Sequence, residues 1–188
     1  MSETPMDLSG QLLIAMPQMS DPRFSRSVSL ICSHEPAGAM GLILNKPVGD
    51  MRLSEVFDRL EIAAGPRGAD PVYIGGPVET ERGFVLHPAG DGAVPGSTPV
   101  GDSYALTATQ DILENIARGA APLRFRFALG YAGWGPGQLE SEIAQNAWLT
   151  APVSTALVFD TPTEALWDAA LAAIGIDPVS LSGTAGRA

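Results

Sequence analysis

Three glycine-rich segments constrain the fold of this 188-residue chain more than any other feature of its sequence. They occupy residues 38–47, 75–78 and 129–140, and each joins a strand-like apolar run to a tight backbone feature. The pattern predicts short strands that turn sharply, in one domain long enough to bury a core without disulfides or metals.

Short apolar or alternating runs predict eight strands. They cover residues 11–16, 27–33, 39–44, 72–74, 83–87, 104–106, 123–129 and 153–159. Because the loops between the first three strands are too short for a helix, we expect those strands to pair antiparallel. The strand at 123–129 has one buried face, and its polar face carries Arg124 and Arg126.

Helical spacing of apolar residues predicts four helices. One follows Asp50, one begins at Thr107 or Thr109 and ends at Gly119, one spans residues 138–148, and one begins at Thr161. In the last helix Thr161 is the predicted N-cap, and Glu164 completes a capping box. Strands followed by strands mixed with helices favour an α+β fold. We predict a single compact domain whose sheet is mixed or largely antiparallel, with a barrel-like form as one option, flanked by helices.

The domain boundaries follow from composition. We assign residues 1–9 to a disordered tail, residues 10–178 to the single domain and residues 179–188 to a flexible C-terminal tail. Residues 88–99 are rich in Gly and Pro without periodicity, so we predict a surface loop there.

Charge and cysteine usage limit the partners and the compartment. The net charge of −10 repels phosphate backbones, and the basic residues are scattered, which argues against a nucleic-acid partner. No apolar run reaches the roughly 20 residues that span a bilayer, so no membrane partner is predicted. With one cysteine, Cys32, and no secretory pattern in residues 1–9, we expect a soluble, cytoplasmic protein without an internal disulfide.

The glycine-rich segments also supply the candidate contacts to a ligand or partner. These candidates are Asn45, Lys46, Gly75, Gly76, Pro77, His87, Trp134, Gly135 and Gln138. Asn45 and Lys46 follow a buried strand directly, where they could meet a ligand carboxylate or phosphate, although a turn with an exposed lysine is the favoured interpretation. The loop around Gly135 could present N–H groups to an anion, but Glu140 and Glu142 in the following helix would repel one, so close backbone packing beside Trp134 is preferred.

The sequence supports catalysis or metal binding less well than it supports ligand or partner binding. His34 and His87 end predicted strands, and with Cys32 and Glu35 they could bind a metal, but no ligand-spacing motif supports this. We expect both histidines to hydrogen-bond to loop backbone, and Cys32 to be buried and inert. The carboxylate pairs Glu79/Glu81 and Glu140/Glu142 are interpreted as solvated charge. No catalytic residue, metal or cofactor is predicted, and the question of enzymatic activity stays open with a non-catalytic role favoured.

Several blocks together carry a resemblance to one family. They are residues 11–17, 21–27, 38–47, 72–78, 82–87 and 129–140, followed by Glu142, Asn146 and Trp148. In these blocks the chain resembles the YqgE/AlgH family over nearly its whole length. The resemblance implies a single compact domain of mixed or antiparallel strands flanked by helices, and a label of transcriptional regulator of exopolysaccharide synthesis. The chain departs from the family pattern at residues 32–34 and in the loop 89–101.

The sequence therefore leaves three candidate functions. The favoured one is a non-catalytic small-molecule or protein binding module with a regulatory role. The second is a transcriptional regulator that acts directly or indirectly on exopolysaccharide genes of the alginate type, which the acidic charge opposes. The third is an enzyme that uses His34 or His87. The identity of the ligand or partner and the oligomeric state are left open.

Overall fold

The structure is a computed structural model that describes residues 6–63, 65–91 and 95–184. The strands are β1 Leu12–Ala15, β2 Val28–Glu35, β3 Gly38–Ile43, β4 Pro47–Arg52, β5 Pro71–Ile74, β6 Val78–Pro88, β7 Thr98–Val100, β8 Tyr104–Thr107, β9 Arg126–Trp134 and β10 Trp148–Ala151. The helices are α1 Leu53–Arg59, α2 Gln110–Ala117, α3 Gln138–Ala144, α4 Leu166–Ala173 and α5 Pro178–Thr184. A π-helical turn, Ala156–Asp160, and a 3₁₀ turn, Thr163–Ala165, precede α4.

The strands form one curled sheet in the order β10-β1-β2-β3-β9-β6-β8-β7, with β4 and β5 attached beside β9. Nearly every pairing is antiparallel, and the exception is the parallel pair of β5 with β9. Because β7 comes to lie against β2, the sheet curls into a half-barrel. The predicted α+β fold with a largely antiparallel, barrel-like sheet is confirmed.

The core lies on both faces of this sheet. One buried cluster fills the concave side, with Leu30, Leu42 and Phe84 among its members, and α4 packs against β1 and β2 at its margin. There Trp167 is buried and its Nε1 donates a 2.8 Å hydrogen bond to the carbonyl of Ala15. A second cluster joins α1 and α2 to the sheet. Each buried Leu, Ile or Phe contributes about 1.5–3 kcal/mol, so these clusters dominate the stability.

The second glycine-rich segment is needed for backbone packing. A Cβ on Gly75 would lie 2.2 Å from the carbonyl oxygen of Gly130, and one on Gly76 would lie 2.1 Å from the backbone carbon of Tyr131. These two residues cross the middle of β9, and the N–H of Gly75 donates to the carbonyl of Leu129. The sequence predicted a turn at this segment, and its close approach to β9 is a finding of the structure.

The predicted strand at residues 153–159 is wrong. The chain forms the π-helical turn there, and two arginines of the preceding polar face hold it. Arg126 donates from Nε to the carbonyl of Val158 at 2.8 Å, and Arg124 lies 3.3 Å from the carboxylate of Asp160. A short apolar run does not distinguish strand from helix, and these long-range contacts decide between them.

The start of the last helix also differs from the prediction. Helix α4 begins at Leu166, and Thr161 lies before the 3₁₀ turn, where its hydroxyl donates to the carbonyl of Ala156. The predicted capping box at Thr161 and Glu164 is therefore wrong. The hydroxyl of Thr161 closes the preceding turn instead of the helix end.

Three further boundaries were not anticipated. Helix α3 ends at Ala144 because Asn146 adopts a left-handed conformation, with φ of 63°, and the chain then enters β10. Strand β9 continues through its glycines to Trp134. Strand β7 lies within the predicted loop 88–99, of which residues 92–94 lie outside the described residues.

The tails also differ from the assigned boundaries where the structure describes them. Leu8 is buried, and its N–H donates to Nδ1 of His34, so the disordered tail does not extend to residue 9. Residues Pro178–Thr184 form α5, in place of irregular chain. Residues 1–5 and 185–188 lie outside the described ranges.

Candidate binding site at the mouth of the half-barrel

The open end of the half-barrel forms a groove of about 710 Å³, which we call the mouth groove. Strands β2, β3, β6, β7, β8 and β9 all contribute to its walls. The lining residues are Cys32, Ser33, Glu35, Ala37, Gly38, Ala39, Met40, Val78, Arg82, Phe84, Gly96, Thr98, Val100, Leu106, Ala108, Tyr131, Gly133 and Trp134. A groove of this size in the mouth of a β-barrel is a typical place for a small-molecule site.

The floor of the mouth groove is apolar and aromatic. Phe84, Val100 and Leu106 are buried members of the core that reach this surface. The rings of Phe84 and Tyr131 meet edge to face, with their centroids 6.0 Å apart. An apolar body of a ligand would therefore find a preformed wall, since these rings are held by the core beneath them.

The rim carries one charge of each sign. Glu35 ends β2 and is exposed, and Arg82 lies on β6 with its guanidinium 5.0 Å from the centre of the Phe84 ring. Arg82 also lies 3.6 Å from Glu79, but both side chains are about half exposed, at 54% and 53%. Such an exposed pair contributes at most about 1 kcal/mol, so Arg82 can exchange Glu79 for another anion.

Trp134 ends β9 at the edge of the mouth groove, and its indole packs on the opposite face of the sheet against α3. Its Nε1 donates to Oε1 of Glu142 at 3.3 Å, and Nε1 of Trp148 donates to the same oxygen at 3.0 Å. The two indole rings meet edge to face at 6.1 Å. Gln138 donates to the other oxygen of Glu142 at 2.9 Å. Glu142 therefore fixes the two indoles of this buried cluster, and its interpretation as solvated charge is wrong.

Glu140 anchors the same helix to β2 through His34. The N–H of Leu8 donates to Nδ1 of His34, so Nε2 carries the proton and donates to Oε1 of Glu140. The pKa of Glu140 is lowered, first by its own backbone N–H and then by His34. His34 is thus a strand-end histidine bonded to backbone, as predicted, and Glu140 is engaged in structure instead of being simply solvated.

Asn45 and Lys46 are engaged in the structure of the β1–β2 loop. Asn45 accepts from the N–H of Val28 at 2.9 Å and donates to the carbonyl of Arg26 at 3.0 Å. Lys46 donates from Nζ to the carbonyl of Ser25, and burial together with the charge of Arg26 lowers its pKa. Neither residue lines the mouth groove. The favoured interpretation as a turn is correct, but Lys46 is only partly exposed.

The remaining candidate residues are divided between packing and loop closure. Gly75 and Gly76 contact the backbone of β9, as described above, and Pro77 lines a shallow depression outside the mouth groove. The N–H of Gly135 is taken by Oε1 of Gln138 at 2.9 Å, so this loop offers that N–H to no anion. Of the candidates from the sequence, Trp134 alone lines the mouth groove.

His87 is completely buried and takes part in a chain of hydrogen bonds. Its Nδ1 donates to the carbonyl of Pro88 at 2.9 Å, so its Nε2 accepts from the hydroxyl of Thr107 at 2.9 Å. The hydroxyl of Thr107 lies 2.7 Å from that of Ser97. The chain of polar groups links β6, β8 and the start of β7. The prediction of a backbone-bonded histidine is confirmed, and His87 is not placed to contact a ligand.

Cys32 lies at the bottom of the mouth groove. Burial raises the pKa of its thiol to about 12, so the sulfur stays protonated and unreactive near neutral pH. The prediction of a buried cysteine is confirmed. Among residues 6–63, 65–91 and 95–184, no group of three or more His, Cys, Asp and Glu side chains is placed to hold a metal ion.

A second cavity of about 470 Å³ lies on the other side of β8. It is bounded by α1, α2 and β6, and Thr107 and Arg59 are among its lining residues. Leu106, the neighbour of Thr107, faces the mouth groove instead. The alternation of side chains along β8 therefore separates the two cavities.

The sequence pattern did not single out Arg82, Tyr131 or Met40 as contacts, and weighed Glu35 only as a metal ligand. The glycines at 130 and 133 concealed that β9 runs on past Leu129. Once the strand is extended, Tyr131 and Gly133 share one of its faces, which is the face toward the groove. The signal that could have found them is this alternation across the glycines.

The fold and the groove define the chain as a single-domain α+β half-barrel protein, and comparison with known proteins gives its family. A family model described as AlgH-like matches residues 12–179. The chain therefore belongs to the AlgH-like family, and the resemblance seen in its sequence blocks is confirmed. Among the described residues, no helix has both the length and the apolar character required to cross a bilayer.

Relatives match the chain from end to end. A UPF0301 protein of Cereibacter sphaeroides (strain ATCC 17029 / ATH 2.4.9) is 52% identical, over 97% of this chain and 100% of its own. The solution structure of the AlgH protein from Pseudomonas aeruginosa is 42% identical and superposes with a TM-score of 0.78, covering 100% of both chains. A crystal structure of a Corynebacterium diphtheriae protein, 23% identical with a TM-score of 0.73 and covering 96% of this chain and 94% of that one, shows the same fold.

Proposed function

We propose that this protein is a non-catalytic binding module with a regulatory role, and that a small organic molecule binds in the mouth groove. The observation that carries the proposal is the groove itself, with an aromatic floor at Phe84 and Tyr131 and an exchangeable cation at Arg82. An apolar body and a charged group of a ligand would both be matched there. We place the module in the cytoplasm, in keeping with its single, unreactive thiol.

A regulatory role is supported by the connection of the groove to α3. Tyr131 and Gly133 of β9 face the mouth groove, and on the other face of the sheet Glu142 ties the next residue, Trp134, to Trp148 of β10. A ligand that shifts the end of β9 would act on the position of α3, because both indoles share one carboxylate oxygen of that helix. Binding of the ligand would then be transmitted to other molecules as a change in the exposed surface of α3.

The probe for this function is 1-anilinonaphthalene-8-sulfonate, an aromatic anion whose fluorescence rises in apolar sites. We expect a saturable increase with one site per chain. Arg82→Gln should weaken the affinity about fivefold, which corresponds to about 1 kcal/mol for an exposed charge pair.

A matched pair of variants locates the probe. Thr98→Trp places a large side chain into the mouth groove from exposed β7, whereas Ser103→Trp places the same side chain at an exposed position outside it. Thr98→Trp should abolish the signal and Ser103→Trp should retain it. Equal signals from the two variants, or fluorescence that never saturates, would contradict the proposal.

A further inference from the structure

We infer, on the basis of the proposed function, that the ligand of the mouth groove is a short peptide with both termini free. Its ammonium group would pair with Glu35, its carboxylate with Arg82, and its apolar side chains would lie on Phe84 and Tyr131. The opposite charges of the rim and the apolar floor between them carry this inference.

The two rim charges belong to strands on opposite sides of the groove. Glu35 ends β2 and Arg82 lies on β6, and the sheet order places β3 and β9 between them. Three strand-to-strand steps of about 4.8 Å give roughly 14 Å across the strands, and the register offsets Glu35 from Arg82 by about five residues along them. The curl of the half-barrel and the inward reach of these two long side chains shorten the path between the charged groups.

This span selects a peptide over a single amino acid. An amino acid carries its two charges on one residue, whereas three to four extended residues reach roughly 10–14 Å. Such a chain would cross the groove with its termini at opposite rims. The groove volume of about 710 Å³ lies within the range typical of sites for molecules of this size.

The peptide is bound by its ends and side chains, because the edge of β7 is unsuited to pair with it as an additional strand. Pro99 is the central residue of β7 and has no N–H to donate. Proline in a strand belongs at an edge, where it blunts the pairing of another chain. The recognition of the termini by Glu35 and Arg82 then decides the affinity.

Both rim residues are available to bind the charged ends of a peptide. Glu35 makes no ion pair within 4.0 Å among the described residues, and Arg82 has only the exposed Glu79 at 3.6 Å. Arg82 keeps its position over the Phe84 ring, which orients the guanidinium toward the groove floor. A peptide carboxylate would replace Glu79 without leaving a buried charge unpaired.

The test uses the tripeptide Ala-Phe-Leu in four forms, measured by isothermal titration calorimetry against the full-length protein. The forms have free termini, an acetylated N-terminus, an amidated C-terminus, or both blocks. We expect each block to weaken binding about fivefold and both together about 25-fold, as two separate exposed charge pairs would.

Variants assign each terminus to its partner. Glu35→Gln should bind the free tripeptide as weakly as the wild type binds the acetylated form, and should no longer distinguish those two forms. Arg82→Gln should lose the distinction between the free and amidated forms. The controls Glu81→Gln and Arg59→Gln carry the same changes in the lining of the second cavity, and should keep both distinctions.

Three results would overturn the inference. They are equal binding of the free and doubly blocked tripeptides, equal binding of phenylalanine alone, or no binding of any form. If the anilinonaphthalene probe still binds in a Thr98-dependent way in those cases, the groove remains a binding site and only the peptide assignment is wrong.

Discussion

The mouth groove differs from the crossing, by which we mean Asn45, Gly75 and Gly76 with the strands and loop they bond to, in how its polar groups are used. At the crossing, Asn45 makes hydrogen bonds to backbone with both ends of its amide, and Gly75 donates to and accepts from neighbouring strands. At the groove, Glu35 and Arg82 are exposed and hold either no ion pair or an exchangeable one among the described residues. A polar residue after a buried strand is therefore no sign of ligand contact until its own partners are known.

The largest effect is expected at the crossing. Gly76→Ala would force a Cβ to within 2.1 Å of the backbone of Tyr131, and we expect the free energy of unfolding to fall by about 3 kcal/mol or more. Urea denaturation measures this change. Gly137→Ala is the matched control, because a Cβ there meets nothing within 4 Å and only the positive φ of 71° is strained. Equal losses of unfolding free energy in the two variants would show that backbone conformation, and not the close contact with Tyr131, makes glycine necessary at residue 76.

Asn45→Ala should have the next largest effect. It leaves the N–H of Val28 and the carbonyl of Arg26 without their partner, and a lost partner in a partly buried position costs about 1–3 kcal/mol. The midpoint of chemical denaturation should fall accordingly, while affinity for the anilinonaphthalene probe stays unchanged. A loss of probe binding in a folded variant would show instead that Asn45 contributes to the binding site.

The anchor of α3 predicts a dependence of stability on pH. Because the pKa of Glu140 is lower in the folded protein than its ordinary value of 4.5, the stabilisation that Glu140 provides is present above pH 4.5 and is lost as the pH falls through the folded pKa. Glu140→Gln should therefore be less stable than the wild type at pH 7, and the difference should shrink below pH 4.5. Denaturation midpoints of both proteins between pH 3 and 7 measure this. A difference that stays constant over that range would contradict the His34–Glu140 contact.

The smallest effect on stability is expected at the rim of the groove. Glu35→Gln should change the free energy of unfolding by no more than about 0.5 kcal/mol, as surface substitutions away from structural contacts do. Arg82→Gln should change it by no more than about 1 kcal/mol, because the exposed pair with Glu79 is lost. Thermal and urea unfolding of the two variants check this. A loss of more than about 1 kcal/mol in either variant would place that residue in the framework, like Asn45, and would remove the contrast between the two regions.

The sequence pattern predicted the local features of the site correctly. Alternation placed Cys32 in a buried strand, and the apolar runs on either side of the glycine-rich segment 75–78 were predicted as strands, which they are. The two histidines were predicted to bond to backbone, and they do. In each case the signal is a property of a few adjacent residues, since burial and turn chemistry follow local periodicity.

The groove depends on contacts between distant parts of the chain. Glu35, Arg82 and Tyr131 line one cavity because β3 and β9 bring β2 and β6 into one sheet, and no local pattern specifies that strand order. The same holds for the π-helical turn at Ala156–Asp160, which Arg126 holds from β9. Register between distant strands is set by the packing of whole faces, which periodicity within one strand does not reveal.

The sequence by itself determined the α+β class, the family, most of the strands and helices, and the burial of Cys32. The tertiary structure alone decided that His87 is buried, which backbone groups Asn45 and Lys46 bond to, and that the mouth groove is the candidate site. The physical reason is that a polar side chain can serve either the backbone or a ligand, and which of the two it serves depends on the groups that folding places within about 3 Å of it.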